Sequence, residues 1–263
     1  MYRFTYHQPA TLDAAVQLAA STEDGSYLAG GMTLLPTMKF RLANPSDLID
    51  LGGVEELRGI SEEDGRLRIG ASSTHAEVAA SALVADRMPA LAELASRIGD
   101  PAVRNRGTIG GSIANADPAA DYPAALLALD AEVITNRRTI AAADFFTGFF
   151  STALAPGELV TAVRFATPAQ AGYQKAPNPA SRFALVGVFV ARHADGVRVA
   201  VTGAGPYAAR YPAFEAALDA SFTPEAAAGV PVDEAGLTSD LHASAAYRAH
   251  LIGIMAKRAV AAC

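Results

Sequence analysis

The sequence predicts an α+β protein built from two modules, and three observations support this prediction. The chain has 263 residues, a length that typically forms about two domains. Segments with the 3.6-residue apolar period of a helix alternate with segments that have the two-residue period of a strand. Residues 167–179 are rich in Pro, Ala, Gly and Gln, so they are expected to form a linker or a loop lining a site.

The first module is expected to alternate short strands with helices. Thr11 precedes apolar residues spaced along one helical face, and the pair Thr74 and Glu77 has the spacing of a capping box. The expected elements are a helix from Thr11, a strand at 26–29, a helix at 33–38, strands at 48–51 and 66–71, a helix from Thr74, helices at 88–98 and 122–129, and a strand at 159–165.

The second module is expected to hold a hairpin and helices. Two apolar strands, residues 183–193 and 197–202, flank Ala194-Asp195-Gly196, and Asp-Gly between apolar runs is a typical hairpin turn. Helices are expected at 212–220 and 244–262. These elements predict an α+β module that the linker separates from the first.

Composition excludes several classes of function. The net charge of −6, without a cluster of Lys and Arg, argues against nucleic acid as a partner. No apolar run approaches the roughly 18 residues of a membrane span, and no secretory leader is apparent. The chain is therefore expected to be soluble and cytoplasmic.

Cysteine and histidine usage restricts the redox chemistry. The one cysteine is Cys263, so this chain has neither an intrachain disulfide nor a cysteine-ligated iron–sulfur cluster. The five histidines lack metal-ligand spacing. We expect no metal site here, so redox chemistry would need an organic cofactor.

Two glycine turns, Ala29-Gly30-Gly31-Met32-Thr33 and Thr108-Ile109-Gly110-Gly111-Ser112, are the candidate ligand-binding motifs. Adjacent glycines let backbone amides approach a ligand, and successive amides favour an anion. Two such turns predict a ligand held from both sides, for which a dinucleotide diphosphate is the natural candidate. The first turn lacks the third glycine of the Rossmann fingerprint and the Gly-Lys-Ser/Thr of a Walker loop, and standing alone it would be interpreted as an ordinary tight turn. The alternative for the second turn is a loop whose Asp117 and Asp121 cap the helix that contains Pro123.

These motifs resemble those of the FAD-binding medium subunits of the molybdenum hydroxylases, the family of aerobic carbon monoxide dehydrogenase and of the flavin domain of xanthine dehydrogenase. The family's AGG-[HM]-[ST] and TIGG-[NS] loops correspond to the two turns. The resemblance continues through segments that cover nearly the whole chain, namely Met38–Ala43, Asp47–Leu51, Pro156–Val160, Tyr173–Lys175 and Phe183–Val186.

The resemblance implies an FAD-binding domain of the vanillyl-alcohol-oxidase (PCMH) type over residues 1–168, with subdomains at about 1–55 and 56–168. A C-terminal domain of antiparallel sheet and helices, of the carbon monoxide dehydrogenase flavoprotein type, would cover residues 169–263.

The resemblance also implies which residues hold FAD. Both glycine loops would bind the diphosphate, Asp121, Lys175 and Val160 would contact the cofactor, and Phe183 and Ile98 would cover the flavin ring. The implied cofactor-binding residues are Ala29, Gly30, Gly31, Met32, Thr33, Thr108, Ile109, Gly110, Gly111, Ser112, Asp121, Val160, Lys175 and Phe183.

Each of these assignments has an ordinary structural alternative. Asp121 could simply cap a helix, Lys175 could be a solvated lysine, and Phe183 could belong to the core. Ile98 differs from the aromatic residue of the xanthine dehydrogenase branch, whereas an aromatic at 183 is typical of the carbon monoxide dehydrogenase branch. His75 is expected to be a surface or structural residue.

The implied function is electron transfer. In the family, a large subunit carries the molybdenum cofactor, a small subunit carries two [2Fe–2S] clusters, and FAD passes the electrons to an external acceptor. A dimer of heterotrimers is the implied assembly, and no catalytic side chain is needed on this chain. Two alternatives remain open: a stand-alone flavin oxidase of the same fold, and an interaction subunit without flavin. The substrate and the acceptor are left open.

Overall fold

The computed structural model describes all 263 residues, among which are fourteen strands, twelve α-helices and two short 3-10 helices, Leu51–Gly53 and Glu55–Leu57. The strands are β1 (Thr5–His7), β2 (Gly25–Leu28), β3 (Asp47–Asp50), β4 (Ile60–Glu63), β5 (Arg66–Gly70), β6 (Glu132–Thr135), β7 (Thr139–Ala141), β8 (Phe146–Gly148), β9 (Ser151–Thr152), β10 (Val160–Ala166), β11 (Gln170–Pro177), β12 (Ala184–His193), β13 (Gly196–Thr202) and β14 (Ala209–Arg210). The helices are α1 (Leu12–Ser21), α2 (Leu34–Lys39), α3 (His75–Ala80), α4 (Ala82–Arg87), α5 (Pro89–Ser96), α6 (Pro101–Arg104), α7 (Ile109–Asn115), α8 (Tyr122–Ala128), α9 (Ala142–Phe145), α10 (Pro212–Ala220), α11 (Pro224–Ala228) and α12 (Ala245–Ala261).

Three sheets and a small hairpin organise these elements. The first sheet, in the order β1-β3-β2, is parallel, so α1 and α2 are its crossover connections. The second, β4-β5-β10-β6-β7, and the third, β11-β12-β13-β14, are antiparallel. Strands β8 and β9 pair only with each other. The α+β class expected from the sequence is confirmed.

Local signals predicted several element boundaries well. The Thr11 hydroxyl accepts the Ala14 amide at the start of α1, and Thr74 and Glu77 form the complete capping box of α3. The hairpin turn lies where expected, because His193 pairs with Gly196. Side-chain oxygens satisfy helix amides that have no partner within the helix, so these boundaries are fixed by neighbouring residues.

The predicted linker over residues 167–179 is wrong. Residues 170–177 form β11, which pairs along its length with β12. The Gly and Pro that suggested a linker have specific places in this strand. A Cβ at Gly172 would lie 3.0 Å from the carbonyl carbon of Ala259, so glycine lets α12 pack closely. Pro177 lies at the irregular end of an edge strand, where proline is tolerated.

The third sheet is buried on both faces. Alternate β12 residues Val186, Val188 and Val190 pack in a core with α12, whereas Phe189 and Ala191 join the main core of 35 residues. That main core also contains residues of β5, β10, α5 and α8. The sheet therefore joins the two parts of the chain through a shared core.

None of the helices combines the length and the apolar character needed to cross a membrane.

Candidate cofactor site

A cleft of about 600 Å³ brings the two glycine loops together. All five residues of the loop Ala29–Thr33 line it, as do Thr108, Gly110, Gly111 and Ser112 of the second loop. This volume lies within the range of about 300–1,000 Å³ that is typical of small-molecule sites. Two turns that are 75 or more residues apart in the sequence thus form opposite parts of one site.

The first loop follows a strand of the parallel sheet and leads directly into α2. Ligands commonly bind at the carboxyl ends of such strands. Gly31 has a φ of +73°, which an L residue adopts only with strain. None of the six amides from Ala29 to Leu34 donates to a group of the protein. The hydroxyl of Thr33 caps no amide of α2 either. The first loop therefore has a run of donors without protein acceptors.

The second loop uses its amides within the protein. The Ile109 amide donates to Ser73 O at 3.1 Å, and the Gly110 amide to Ala71 O at 2.9 Å. The Gly111 amide donates to Thr108 Oγ1 at 3.1 Å, and the Ser112 amide donates to Thr108 O at 3.0 Å. The groups of this loop that remain available for a ligand are the amide of Thr108 and the hydroxyls of Thr108 and Ser112.

The glycines place the loops against each other. A Cβ at Gly30 would collide with the carbonyl of Arg106 and would lie 2.8 Å from Gly107 Cα. A Cβ at Gly111 would lie 3.5 Å from Ala29 Cβ. The first loop therefore rests on the segment that leads into the second, and Gly30 is required for this packing whether or not a ligand binds.

Asp121 lines the cleft but is not a helix cap. It precedes α8, yet its side chain accepts no amide of that helix. Its Oδ1 instead accepts the hydroxyl of Tyr173 and lies 2.8 Å from Lys175 Nζ. Burial and the neighbouring Asp121 raise the pKa of Tyr173 well above its usual range, so this phenol stays protonated and donates. Oδ2 of Asp121 accepts no hydrogen bond from the protein and is left for a ligand.

Lys175 is neither solvated nor part of the cleft wall. Its side chain is only 2% exposed. Besides the ion pair with Asp121, Nζ donates to Arg97 O at 2.9 Å and to Arg182 O at 3.0 Å. An ammonium group has three N–H donors, and all three are used. The predicted direct contact between Lys175 and a cofactor therefore does not fit the structure.

The remaining predicted residues lie at different depths. Val160 is buried and lines the cleft at the start of β10, and Ile98 also lines it. Phe183 is 45% exposed and lines the cleft, which rules out the alternative that it belongs to the core. Ile109 does not line the cleft, because its side chain is fully buried in the main core.

His75 lies on the wall of the cleft. We expected a surface or structural histidine; the residue is only 4% exposed, which excludes the surface alternative, and it lines the cleft. Burial, and then the positive charge of Arg104, lower its pKa to about 4, so it is neutral at pH 7. The bridge between Thr74 and Thr108 and the hydrogen bond from its amide to Gly107 O bring it beside the second loop, and no local sequence pattern reveals that pairing.

The site fits a dinucleotide better than a metal or a substrate that needs a side-chain nucleophile. Its donors are amides and hydroxyls in a glycine-lined groove, and its other walls carry the apolar side chains of Ile98, Val160 and Phe183. Amides in succession suit a diphosphate, and apolar walls suit a planar ring system. No group of three or more His, Cys, Asp or Glu side chains is close enough to hold a metal ion.

Known proteins resemble this chain over almost its whole length. Residues 2–168 match the family described as the FAD binding domain in molybdopterin dehydrogenase. The carbon monoxide dehydrogenase medium chain of Hydrogenophaga pseudoflava is 38% identical, over 98% of this chain and 96% of that protein. The nicotine 6-hydroxylase medium subunit of Paenarthrobacter nicotinovorans is 37% identical, over 97% and 95% of the two chains.

The fold agrees with these sequence matches. A solved structure of carbon monoxide dehydrogenase from Hydrogenophaga pseudoflava, which lacks the Mo-pyranopterin moiety of its molybdenum cofactor, contains a chain that superimposes with a TM-score of 0.91. The two chains are 39% identical, and the match covers 99% of this chain and 97% of that one. With the glycine loops meeting in one cleft and full-length relatives of this kind, the chain belongs to the family of FAD-binding medium subunits of the molybdenum hydroxylases.

Proposed function

We propose that this chain binds one FAD in the cleft and acts as the electron-transfer subunit of a molybdenum hydroxylase. When bound, FAD supplies the redox chemistry, since the flavin accepts and releases electrons while the protein binds and orients it. This division of labour explains why the cleft needs no nucleophile, metal or pair of catalytic carboxylates.

The observation that carries the proposal is the run of amides from Ala29 to Leu34 without protein acceptors, in six residues that all line the cleft. A diphosphate offers two adjacent negative charges to such a run. The hydroxyls of Thr108 and Ser112 would bind it from the other side. We therefore assign the diphosphate to the space between the two loops.

The other predicted residues receive roles according to where they lie. Ile98 and Phe183 would cover the flavin ring, and Val160 would add a further apolar contact. Asp121 would accept a hydrogen bond from FAD through Oδ2. Lys175 would act indirectly, by holding Asp121 and the backbone next to Ile98 and Phe183, because its carbonyl acceptors are those of Arg97 and Arg182. Ile109 would support its loop from the core.

Electrons reach this subunit from another chain in our proposal. A [2Fe–2S] cluster normally needs four ligands, most often cysteines, and this chain has only Cys263. The clusters would therefore lie on a small partner subunit and the molybdenum cofactor on a large one. We propose a dimer of such heterotrimers, located in the cytoplasm, with FAD passing the electrons to an external acceptor.

Substrate choice would belong to the large subunit. Relatives of nearly equal identity to this chain take their names from carbon monoxide and from nicotine. Medium subunits of one architecture thus occur in enzymes named for very different molecules.

We further propose that the chain divides into two domains between residues 168 and 169. The first domain would have subdomains of about 1–55 and 56–168. The end of the family match at residue 168 supports this boundary.

Titration of the purified, flavin-free chain with FAD and with FMN tests the proposal. FMN is the matched control because it has the flavin ring and one phosphate but no diphosphate bridge. We expect tight binding of FAD, with a shifted flavin absorption band, and much weaker binding of FMN. Failure to bind FAD would favour the flavin-free interaction subunit, and oxidation of an organic substrate by the chain alone would favour the stand-alone oxidase.

A further inference from the structure

We propose that His75 is an additional FAD-binding residue, whose Nε2 forms a hydrogen bond with an oxygen of the dinucleotide at the base of the second glycine loop. This inference rests on the proposed FAD site. It adds to that site a side chain that neither the glycine motifs nor the ring-covering residues include.

The backbone fixes His75 next to the place where the two loops meet. Its amide donates to Gly107 O at 2.9 Å, and its neighbour Thr74 forms a bridge with Thr108. A Cβ at Gly107 would lie 2.6 Å from His75 Nε2, so the ring edge lies directly against this glycine. Gly30 of the first loop packs against the same Gly107.

Neither ring nitrogen of His75 has a hydrogen-bond partner in the protein. Nδ1 is completely enclosed without one, whereas Nε2 is not enclosed in this way and the residue lines the cleft. The burial cost of an unpaired nitrogen therefore falls on Nδ1, which the cleft does not reach, and Nε2 is the ring nitrogen that is accessible to a ligand. A ligand oxygen in the cleft would provide the partner that Nε2 lacks.

The other histidines show that this arrangement is specific to position 75. The Nε2 atoms of His7 and His193 lie 2.7 Å from Asp47 Oδ1 and 2.9 Å from Ala128 O, respectively. His242 and His250 are exposed. His75 alone is buried, and it alone combines burial with two ring nitrogens that have no protein partner.

The charges around the ring favour a neutral contact. Arg104 is the charged group whose field acts on His75, and the facing ring is that of Tyr122, at 5.4 Å between centroids. Neither group supplies a negative charge that would stabilise an imidazolium. Before FAD binds, the imidazole is therefore neutral and can donate through Nε2–H, so a neutral amide at the same place should replace it.

Measurement of the FAD dissociation constant of the flavin-free full-length chain tests the inference, with three substitutions of His75. The amide of Gln reaches about as far as Nε2, that of Asn about as far as Nδ1, and Leu has neither. We expect His75→Leu and His75→Asn to weaken FAD binding about tenfold, which is the size of one neutral hydrogen bond. His75→Gln should stay within about threefold of the parent chain, and the exposed control His250→Gln should change nothing.

Thermal unfolding of the same flavin-free variants separates binding from structure. Leu and Asn variants that bind FAD as the parent does would overturn the inference. The inference would also be overturned if His75→Gln and His75→Asn weakened FAD binding equally and both variants melted at a lower temperature. His75 would then be a packing residue. A parent chain that binds no FAD would overturn the proposed function itself, which is a different result from either of these.

Discussion

The two glycine loops differ in how they use their backbone amides. The first, Ala29–Thr33, is at least partly exposed, and none of its amides donates to the protein. In the second, Thr108–Ser112, four of the five amides donate to neighbouring backbone and side-chain oxygens. One glycine of each loop shows a related difference. Gly31 is needed for its positive φ, but Gly110 is needed because a Cβ there would lie 2.6 Å from Ala71 Cβ and 2.8 Å from Ala71 O.

This difference indicates two separate roles within one site. The second loop is a wall that is complete before any ligand arrives, since hydrogen bonds and packing hold it. The first loop supplies most of the backbone donors, and these gain partners only when an anion binds. The predictions below test this division, beginning with the largest expected effect.

Replacing Lys175 with Met should have the largest effect on stability. The ammonium holds Asp121 and two backbone carbonyls beside the cleft before any ligand binds. Its removal leaves Asp121 buried without its countercharge. Breaking a buried ion pair at one end costs about 3–5 kcal/mol, or a melting temperature roughly 10 °C lower. Thermal unfolding of the flavin-free chain measures this, with the exposed Lys257→Met as control. An unchanged melting temperature would make Lys175 dispensable for the fold.

The adjacent glycines Gly110 and Gly111 of the second loop should differ in how well they tolerate an added methyl group. Gly110→Ala forces the new Cβ against the Ala71 backbone, and overpacking of this kind costs about 1–3 kcal/mol. Gly111→Ala meets only Thr108 Oγ1 at 3.0 Å and Ala29 Cβ at 3.5 Å, so its effect on stability should be much smaller. Urea unfolding of both variants compares them. Equal destabilisation would show that the loop does not depend on contact with Ala71.

Acid should destabilise the segment around Glu158. This segment contacts the parallel sheet that precedes the first loop, because the hydroxyl of Tyr27 in β2 donates to Gly157 O. Hydrogen bonds from Arg138, Ala155 and Thr135 lower the pKa of Glu158 from 4.5 to about 2. A carboxylate with a lowered pKa stabilises the fold above its unfolded pKa, and this stability is lost as the pH falls from about 4.5 towards 2.

Glu158→Gln should therefore cost about 1.5 kcal/mol at pH 7. The difference from the parent should shrink as the pH falls below about 4.5, because the unfolded parent then takes up a proton at Glu158 that the folded parent takes up only near pH 2. Urea unfolding at several pH values checks this. A constant difference across that range would mean that the charge of Glu158 contributes nothing.

The smallest effects should come from a matched pair of threonines. Thr108→Val removes the hydroxyl that accepts the Gly111 amide, and losing such a cap costs about 1 kcal/mol. Thr33→Val removes no cap, so it should leave the stability unchanged but weaken FAD binding severalfold. Unfolding and FAD titration together check the pair, and a stability loss at Thr33 equal to that at Thr108 would contradict the proposed division between the loops.

Local patterns predicted much of the fold. The caps at Thr11 and Thr74 and the turn at Asp195-Gly196 are set by neighbouring residues, and the structure has each of them in place. Strand β11 was missed because its Pro and Gly suggest a linker, and only its pairing with β12 and its packing on α12 explain them.

The site was predicted less completely. The loops were found through their glycines, but the sequence does not reveal that the second loop's amides bond to Ala71 and Ser73. The role of Lys175 depends on the carbonyl of Arg97, which is 78 residues away, and on that of Arg182, which lies across the loop that follows β11. His75 reaches the cleft through the pairing of Thr74 with Thr108. These are all non-local contacts, which periodicity and motifs do not encode.

Amide hydrogen exchange, followed residue by residue by NMR with and without saturating FAD, measures the availability of both sets of donors. Without FAD, the amides from Ala29 to Leu34 should exchange fast and those from Ile109 to Ser112 slowly. With FAD, the first set should become protected and the second should change little. First-loop amides that stay unprotected at saturation, or second-loop amides that are unprotected until FAD binds, would contradict the account.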